Sequence, residues 1–327
     1  MAISCAKETE RVGMANLQIM EVPQGFPLVE HPEGNGYTLE RWELGKKLFY
    51  DPILSKDGSI SCASCHDPAL AFSDDKSISI GAGGLLGTRN APSLANVAYH
   101  PYYTREGGLP TLEMQILVPI QEHNEFNNNI VLIADTLAKI SNYVQMAKAA
   151  YDQEPNAFVI TRALSQFERS MISGQSVYDQ EYNYGIEGSM SEAALRGKAL
   201  FDSDRTSCSS CHSGFNFSNY SFQNNGLYDE YPDNGRERLT QDPSDKALFK
   251  VPSLRNVAIT GPYMHDGSIA ILAEVIEHYN SGGTAHANKN SLIQPLNLLE
   301  TESSDLLAFL ESLTDQNFIT NKNLSDE

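Results

Sequence analysis

Gly45-Lys46-Lys47-Leu48-Phe49, followed by Ser61-Cys62-Ala63-Ser64-Cys65-His66, returns later in the chain as Gly197-Lys198-Ala199-Leu200-Phe201, followed by Ser207-Cys208-Ser209-Ser210-Cys211-His212. Phe72-Ser73 and Phe217-Ser218 come after the two cysteine motifs. Further on, Ala91-Pro92-Ser93-Leu94-Ala95-Asn96-Val97-Ala98 is echoed at an offset of 160 residues by Val251-Pro252-Ser253-Leu254-Arg255-Asn256-Val257-Ala258. Landmarks repeated in the same order mean two homologous halves. A length of 327 residues gives each half enough chain for its own core.

The chemistry of the repeat follows from Cys-x-x-Cys-His. Two thiols at this spacing form thioethers to the haem vinyl groups, and the adjacent His is delivered to the iron as its proximal ligand. Cys62, Cys65 and His66 are thus assigned to one haem c, and Cys208, Cys211 and His212 to a second. Zinc held by the four cysteines is the rival, but the pairs are much too far apart for a zinc ribbon. Zinc also explains neither the His after each pair nor the duplication. The remaining cysteine, Cys5, leaves no disulfide framework. Thioether attachment in bacteria happens outside the cytoplasm, and residues 1–5 carry no apolar signal region, so the expectation is a periplasmic protein whose leader has been removed. Cys5 is either a lipoprotein anchor or an unpaired thiol in a loose arm.

With 42 acidic and 23 basic residues the formal charge is -19. Such a surface repels nucleic acid, favours basic partners and aids solubility. Runs of about 18 apolar residues are missing, so no membrane span is expected. Residues 1–36, with Pro23, Pro27 and Pro32, read as an extended arm; residues 37–186 and 187–327 read as the two haem domains. Ile133, Leu137, Ile140, Val144 and Ala147 step by threes and fours, as do Ile160, Leu164, Phe167 and Met171, and later Leu306, Leu310 and Leu313. These are amphipathic helices. No stretch alternates with a period of two, and the fold expected is all-α with long loops.

The repeat also serves as a ruler for the face of each haem opposite its proximal His. At the same offset Tyr103-Thr104-Arg105-Glu106-Gly107 matches Tyr263-Met264-His265-Asp266-Gly267, Leu112 matches Leu272, and Pro119 falls opposite Tyr279. A proline cannot ligate and a phenol can. Competing ligands are His100 and His123 for the first iron, and Met264, His265, His278 or His286 for the second.

Both motifs, Arg89-Asn90-Ala91-Pro92-Ser93-Leu94, Leu112-Glu113-Met114-Gln115 with Pro119 and Glu125, and Thr260-Gly261-Pro262-Tyr263-Met264-His265-Asp266-Gly267 together resemble the bacterial di-haem cytochrome c peroxidase and MauG family over about residues 37–315. The resemblance implies two all-α cytochrome c-like domains with haems near their interface, the first haem reacting with peroxide. It gives Gln115 and Glu125 the catalytic places in the distal pocket, Glu125 moving the proton that splitting the O–O bond requires. Read on its own, Glu125 is a solvated charge beside Glu122. The peroxidases of the family carry a distal His on a mobile loop, yet no His lies between His66 and His100; Tyr279 matches an axial tyrosine of the MauG type. Asn90, Thr260 and Pro262 match a calcium site. The sequence departs from the family at Arg105, where a tryptophan is usual, and Trp42 is the chain's one tryptophan.

The reading is a periplasmic enzyme using hydrogen peroxide at an open first haem, with a His212/Tyr279 haem storing or relaying oxidising equivalents toward a partner protein. Two rivals remain: a peroxidase fed by a small cytochrome or copper protein, and a non-enzymatic electron carrier with two six-coordinate haems.

Overall fold

A computed structural model describes residues 20–326; Cys5 lies outside them. In chain order the α-helices are α1 (Leu39–Tyr50), α2 (Leu112–Gln115), α3 (Leu117–Gln121), α4 (Ile130–Leu137), α5 (Ser141–Tyr151), α6 (Ala157–Arg169), α7 (Val177–Tyr182), α8 (Glu192–Phe201), α9 (Glu237–Thr240), α10 (Leu272–Ser281), α11 (Glu300–Glu311) and α12 (Gln316–Ile319). The only sheet among the described residues pairs β1 (Phe222–Gln223) with β2 (Phe249–Lys250), antiparallel. The fold is mainly helical with long loops.

The glycine of each Gly-Lys-x-Leu-Phe repeat sets a helix crossing. α1 packs on α6 and α8 on α11. A Cβ on Gly45 would collide with the Ala163 carbonyl and approach the Phe167 Cβ to 2.9 Å; on Gly197 it would collide with the Asp305 carbonyl and meet the Phe309 Cβ at the same distance. Backbone contact of this kind leaves no room for a methyl, and overpacking a helix interface costs about 1–3 kcal/mol. We expect Gly45→Ala and Gly197→Ala each to lower stability by at least that amount in denaturant titrations, against near-neutral changes at exposed Gly36, where a Cβ meets nothing.

The apolar stripes build two cores. Ile160, Leu164, Phe167 and Met171 are buried with Leu48, Phe49 and Phe72 in the first; Leu306, Leu310 and Leu313 join Phe201, Phe217 and Phe309 in the second. Phe318 and Leu324, near the chain's end, return to the first core. The stripe from Ile133 to Ala147 is two helices rather than one. The backbone leaves helical geometry at Ile140, which turns outward.

The second repeat block explains itself in the same way. Asn96 and Asn256 are fully buried with left-handed backbones. The Asn96 Oδ1 accepts from the Ser173 N–H at 2.8 Å and the Asn256 Oδ1 from the Asp315 N–H at 2.8 Å. Each pins its loop to the chain leaving the core helix of its half. Residues 20–37 contain no helix, but they are tied down: Phe26 packs on Tyr99 from one half and Phe215 from the other, with Arg255 over its ring.

Candidate haem sites

Each cysteine motif is a single tight helical turn, Cys62–Ser64 and Cys208–Ser210, in which the His N–H returns to the first cysteine's carbonyl at 3.0 and 2.9 Å. The turn brings both thiols and the imidazole toward one side. All four motif cysteines are free thiols. The His66 Nδ1–H donates to the Phe72 carbonyl at 2.8 Å, and the His212 Nδ1–H to the Phe217 carbonyl at 3.1 Å. A carbonyl only accepts, so Nδ1 carries the proton and Nε2 is left to ligate, the arrangement that orients and strengthens a metal-bound histidine. The repeated phenylalanines after each motif thus act through their carbonyls.

Cys62, Cys65 and His66 line a cavity of about 430 Å³, together with Gln115, Pro119, Glu125, Glu168, His100, Arg105 and, from the second half, Lys250, Thr260, Pro262 and Met264. Gln115 ends α2, and its Oε1 is buried without a hydrogen-bond partner. Pro119 lies inside α3 and has no N–H to return to the Gln115 carbonyl, which is why the element splits at Ile116, whereas the matching α10 runs unbroken. Glu125 sits on the turn after α3, fixed by its N–H to the Glu122 carbonyl and by its carbonyl accepting from the Ala82 N–H at 2.8 Å. Its side chain is exposed by surface area where it opens on the cavity, although the protein round the carboxyl limits its hydration. Burial, with the Glu122 charge adding to it, pushes its carboxyl up to about 7.

At the second motif, burial pushes the Tyr279 phenol up to about 12, with Cys208 and Cys211 adding to it and a hydrogen bond to the Asn225 amide opposing it. The competing ligands are engaged elsewhere. The Met264 sulfur accepts from the Asn225 Nδ2 at 3.2 Å, and the His278 Nε2 donates to the Asn225 carbonyl at 3.0 Å. His286 Nδ1 accepts from the Asn288 N–H at 3.0 Å, and His265 stacks on Phe249 with centroids 4.2 Å apart. His123 is exposed.

Residues 39–185 match the model of the di-haem cytochrome c peroxidase family. The chain is 37% identical over 290 residues to the methylamine utilization protein MauG of Methylorubrum extorquens, covering 87% of this chain and 81% of that one. The chain belongs to the di-haem cytochrome c peroxidase and MauG family. It is also 30% identical over 292 residues to the cytochrome c551 peroxidase of Pseudomonas aeruginosa, covering 86% and 80% of the two chains. A MauG-like protein associated with microbial copper homeostasis superposes with a TM-score of 0.89 at 34% identity, over 94% of this chain and 98% of that one. The chain is thus a haem c oxidoreductase of a peroxidase family, and its two cysteine pairs accord with two c-type haems.

Its residues fit such groups on independent grounds. Arg105, Lys250 and His100 meet in the cavity with no carboxylate of the described residues bonded to any of them: Lys250 Nζ donates to the Tyr102 carbonyl at 2.9 Å and lies 3.4 Å from His100 Nδ1, and the Arg105 Nε and His100 Nε2 are buried without partners among those residues. Burial, with the Arg105 charge adding to it, lowers the Lys250 ammonium to about 8. Buried cations call for an anion, and haem propionates are of the right charge. Asn90, matched with Thr260 and Pro262 to a calcium site, does not fit calcium, because both of its oxygens accept from the Arg105 guanidinium.

Sequence reading missed Lys250 and Glu168. Glu168 is almost fully buried, lines the cavity, and is pushed by burial up to about 8 against the pull of Arg169. A signal was present, since it falls four residues after Leu164 on a core-facing stripe. Trp42 belongs to the first core, its Nε1 donating to the Ser170 Oγ at 2.7 Å.

Proposed function

We propose that this family member is a periplasmic, MauG-type enzyme that uses hydrogen peroxide at an open first haem and passes the oxidation to a partner protein through a second haem held by His212 and Tyr279. The observation that carries the reading is Tyr279, on α10 and within electrostatic reach of Cys208 and Cys211, with Met264 and His278 both bonded to Asn225. When bound, the two haems supply the iron chemistry that splits peroxide and stores electrons. Cys62, Cys65, Cys208 and Cys211 anchor them, and His66 and His212 present Nε2. Residues 37–186 and 187–327 are taken as the two haem domains.

The protein's own part at the first haem is proton handling. Glu125, with a carboxyl near neutrality, takes a proton from one peroxide oxygen and returns it to the other, the best use of a group whose pKa is close to the working pH. Gln115 offers its unpartnered amide to orient peroxide. Arg105 and Lys250 would neutralise the propionates, and the neutral His100 would offer them its unpartnered Nε2. Tyr279 would hold the second iron through its phenolate oxygen, a hard anion that favours the oxidised metal.

Thioether attachment supports the periplasmic placement, and no helix among the described residues is long and apolar enough to cross a membrane. Steady-state peroxide turnover separates this reading from its rivals. The proposal expects slow turnover with small cytochrome or copper-protein donors and covalent oxidation of a partner protein; fast turnover with such donors supports the peroxidase, and no peroxide reaction at all supports the carrier.

A further inference from the structure

Asn90 is a fully committed residue. Its backbone N–H donates to the His265 carbonyl at 2.9 Å and its Nδ2 to the Lys76 carbonyl at 3.1 Å, which turns Oδ1 inward. Its backbone oxygen and Oδ1 then both accept from a single terminal nitrogen of Arg105, at 2.8 and 3.1 Å. Thr260 and Pro262, the other residues aligned with a calcium site, line the same cavity. Next to them Arg89 already has its anions, donating to Asp233 through two nitrogens and to Glu106 through the third. Arg105 has no carboxylate of the described residues hydrogen-bonded to it. A guanidinium keeps its charge at neutral pH wherever it sits.

We propose that Arg105 is the resident cation of the junction between the halves, holding the Asn90 oxygens that a calcium ion would need, so that this chain keeps two haems without calcium. Calcium requires six to eight oxygens at roughly 2.3–2.6 Å. At Asn90 it would have to sit against a guanidinium that keeps its proton, in a buried place where like charges repel strongly. Arg105 meets the same need differently: one nitrogen clamps both Asn90 oxygens, and the unpartnered Nε remains for an anion. Its own carbonyl accepts from the Lys250 N–H at 2.6 Å, so the cation is tied to β2 of the second half as well as to the Asn90 loop of the first.

The inference rests on the two-haem reading, and the experiment keeps the two apart. Holoprotein is first assayed for haem as the pyridine complex; fewer than two haems per chain defeats the reading itself, whatever the calcium result. Haem-replete protein is then dialysed against a chelator, analysed for metals by mass spectrometry, and melted with and without added calcium. The expected result is calcium below a tenth of an equivalent, with haem spectra and melting temperature unmoved by chelator or by calcium. Arg105→Gln frees the Asn90 oxygens and should melt lower than wild type and recover on adding calcium; Arg105→Lys, which retains a cation, should stay calcium-independent. One equivalent of calcium in wild type, or a chelator-induced change in its haem spectra, overturns the proposal. So does an Arg105→Gln protein as stable as wild type without calcium. Should Arg105→Gln fail to fold, the wild-type metal content and Arg105→Lys still decide.

Discussion

Glu125→Gln is expected to slow the reaction of the holoprotein with peroxide by roughly 100-fold or more while leaving both haems attached, the loss typical when a positioned acid–base group is removed. The pH profile gives a second signature. Burial and the Glu122 charge raise this carboxyl to about 7, and only its ionised form takes a proton, so the wild-type rate should rise with pH through about 7 and fall below it. In Glu125→Gln that step should vanish along with the rate. Glutamine keeps the size and most of the polarity of the side chain, so a changed pH profile reports the proton and not the packing. Stopped-flow absorbance at a series of pH values is the measurement; unchanged kinetics would return Glu125 to the role of a solvated charge.

Tyr279→Phe should leave peroxide able to react at the first haem and alter the second. The phenol, carried on α10, is within electrostatic reach of both motif cysteines, and the competing Met264 thioether and His278 imidazole are bonded to Asn225. A phenolate stabilises ferric iron more than a thioether or an open position does, so its loss should raise the reduction potential of the second haem and remove its resting low-spin ferric spectrum. Oxidation of the partner protein should fall with it. If the spectrum survives Tyr279→Phe and is instead abolished by Met264→Ala or His278→Ala, the ligand is one of those and the chain behaves as an ordinary peroxidase of its family.

Much of this was legible in the sequence because it lies in local spacing. The cysteine motifs are single turns, Ile160, Leu164 and Phe167 share one face of α6 with Met171 buried just past its end, and the offset that sets Pro119 against Tyr279 survives as two helices beginning at Leu112 and Leu272. The repeated glycines could be read as landmarks but not as helix crossings, since their partners, Ala163 and Asp305, lie more than a hundred residues away. The basic corner was hidden for the same reason. Lys250 reaches His100 only because β2 lies against the loop that carries Tyr102. Arg105 was visible as a departure from the family, but its hold on Asn90 is a tertiary contact that no spacing reports. Glu168 failed to stand out because a charge at the end of an amphipathic helix usually faces water.

The central claim is that the first haem is open in the resting protein, and mixing the fully oxidised holoprotein with peroxide, with no reductant present, tests it most directly. The account predicts an immediate change in the haem absorbance of the resting enzyme. A reaction that requires prior half-reduction would contradict it. That result would make His100, whose buried Nε2 lines the first cavity, the ligand that caps the iron.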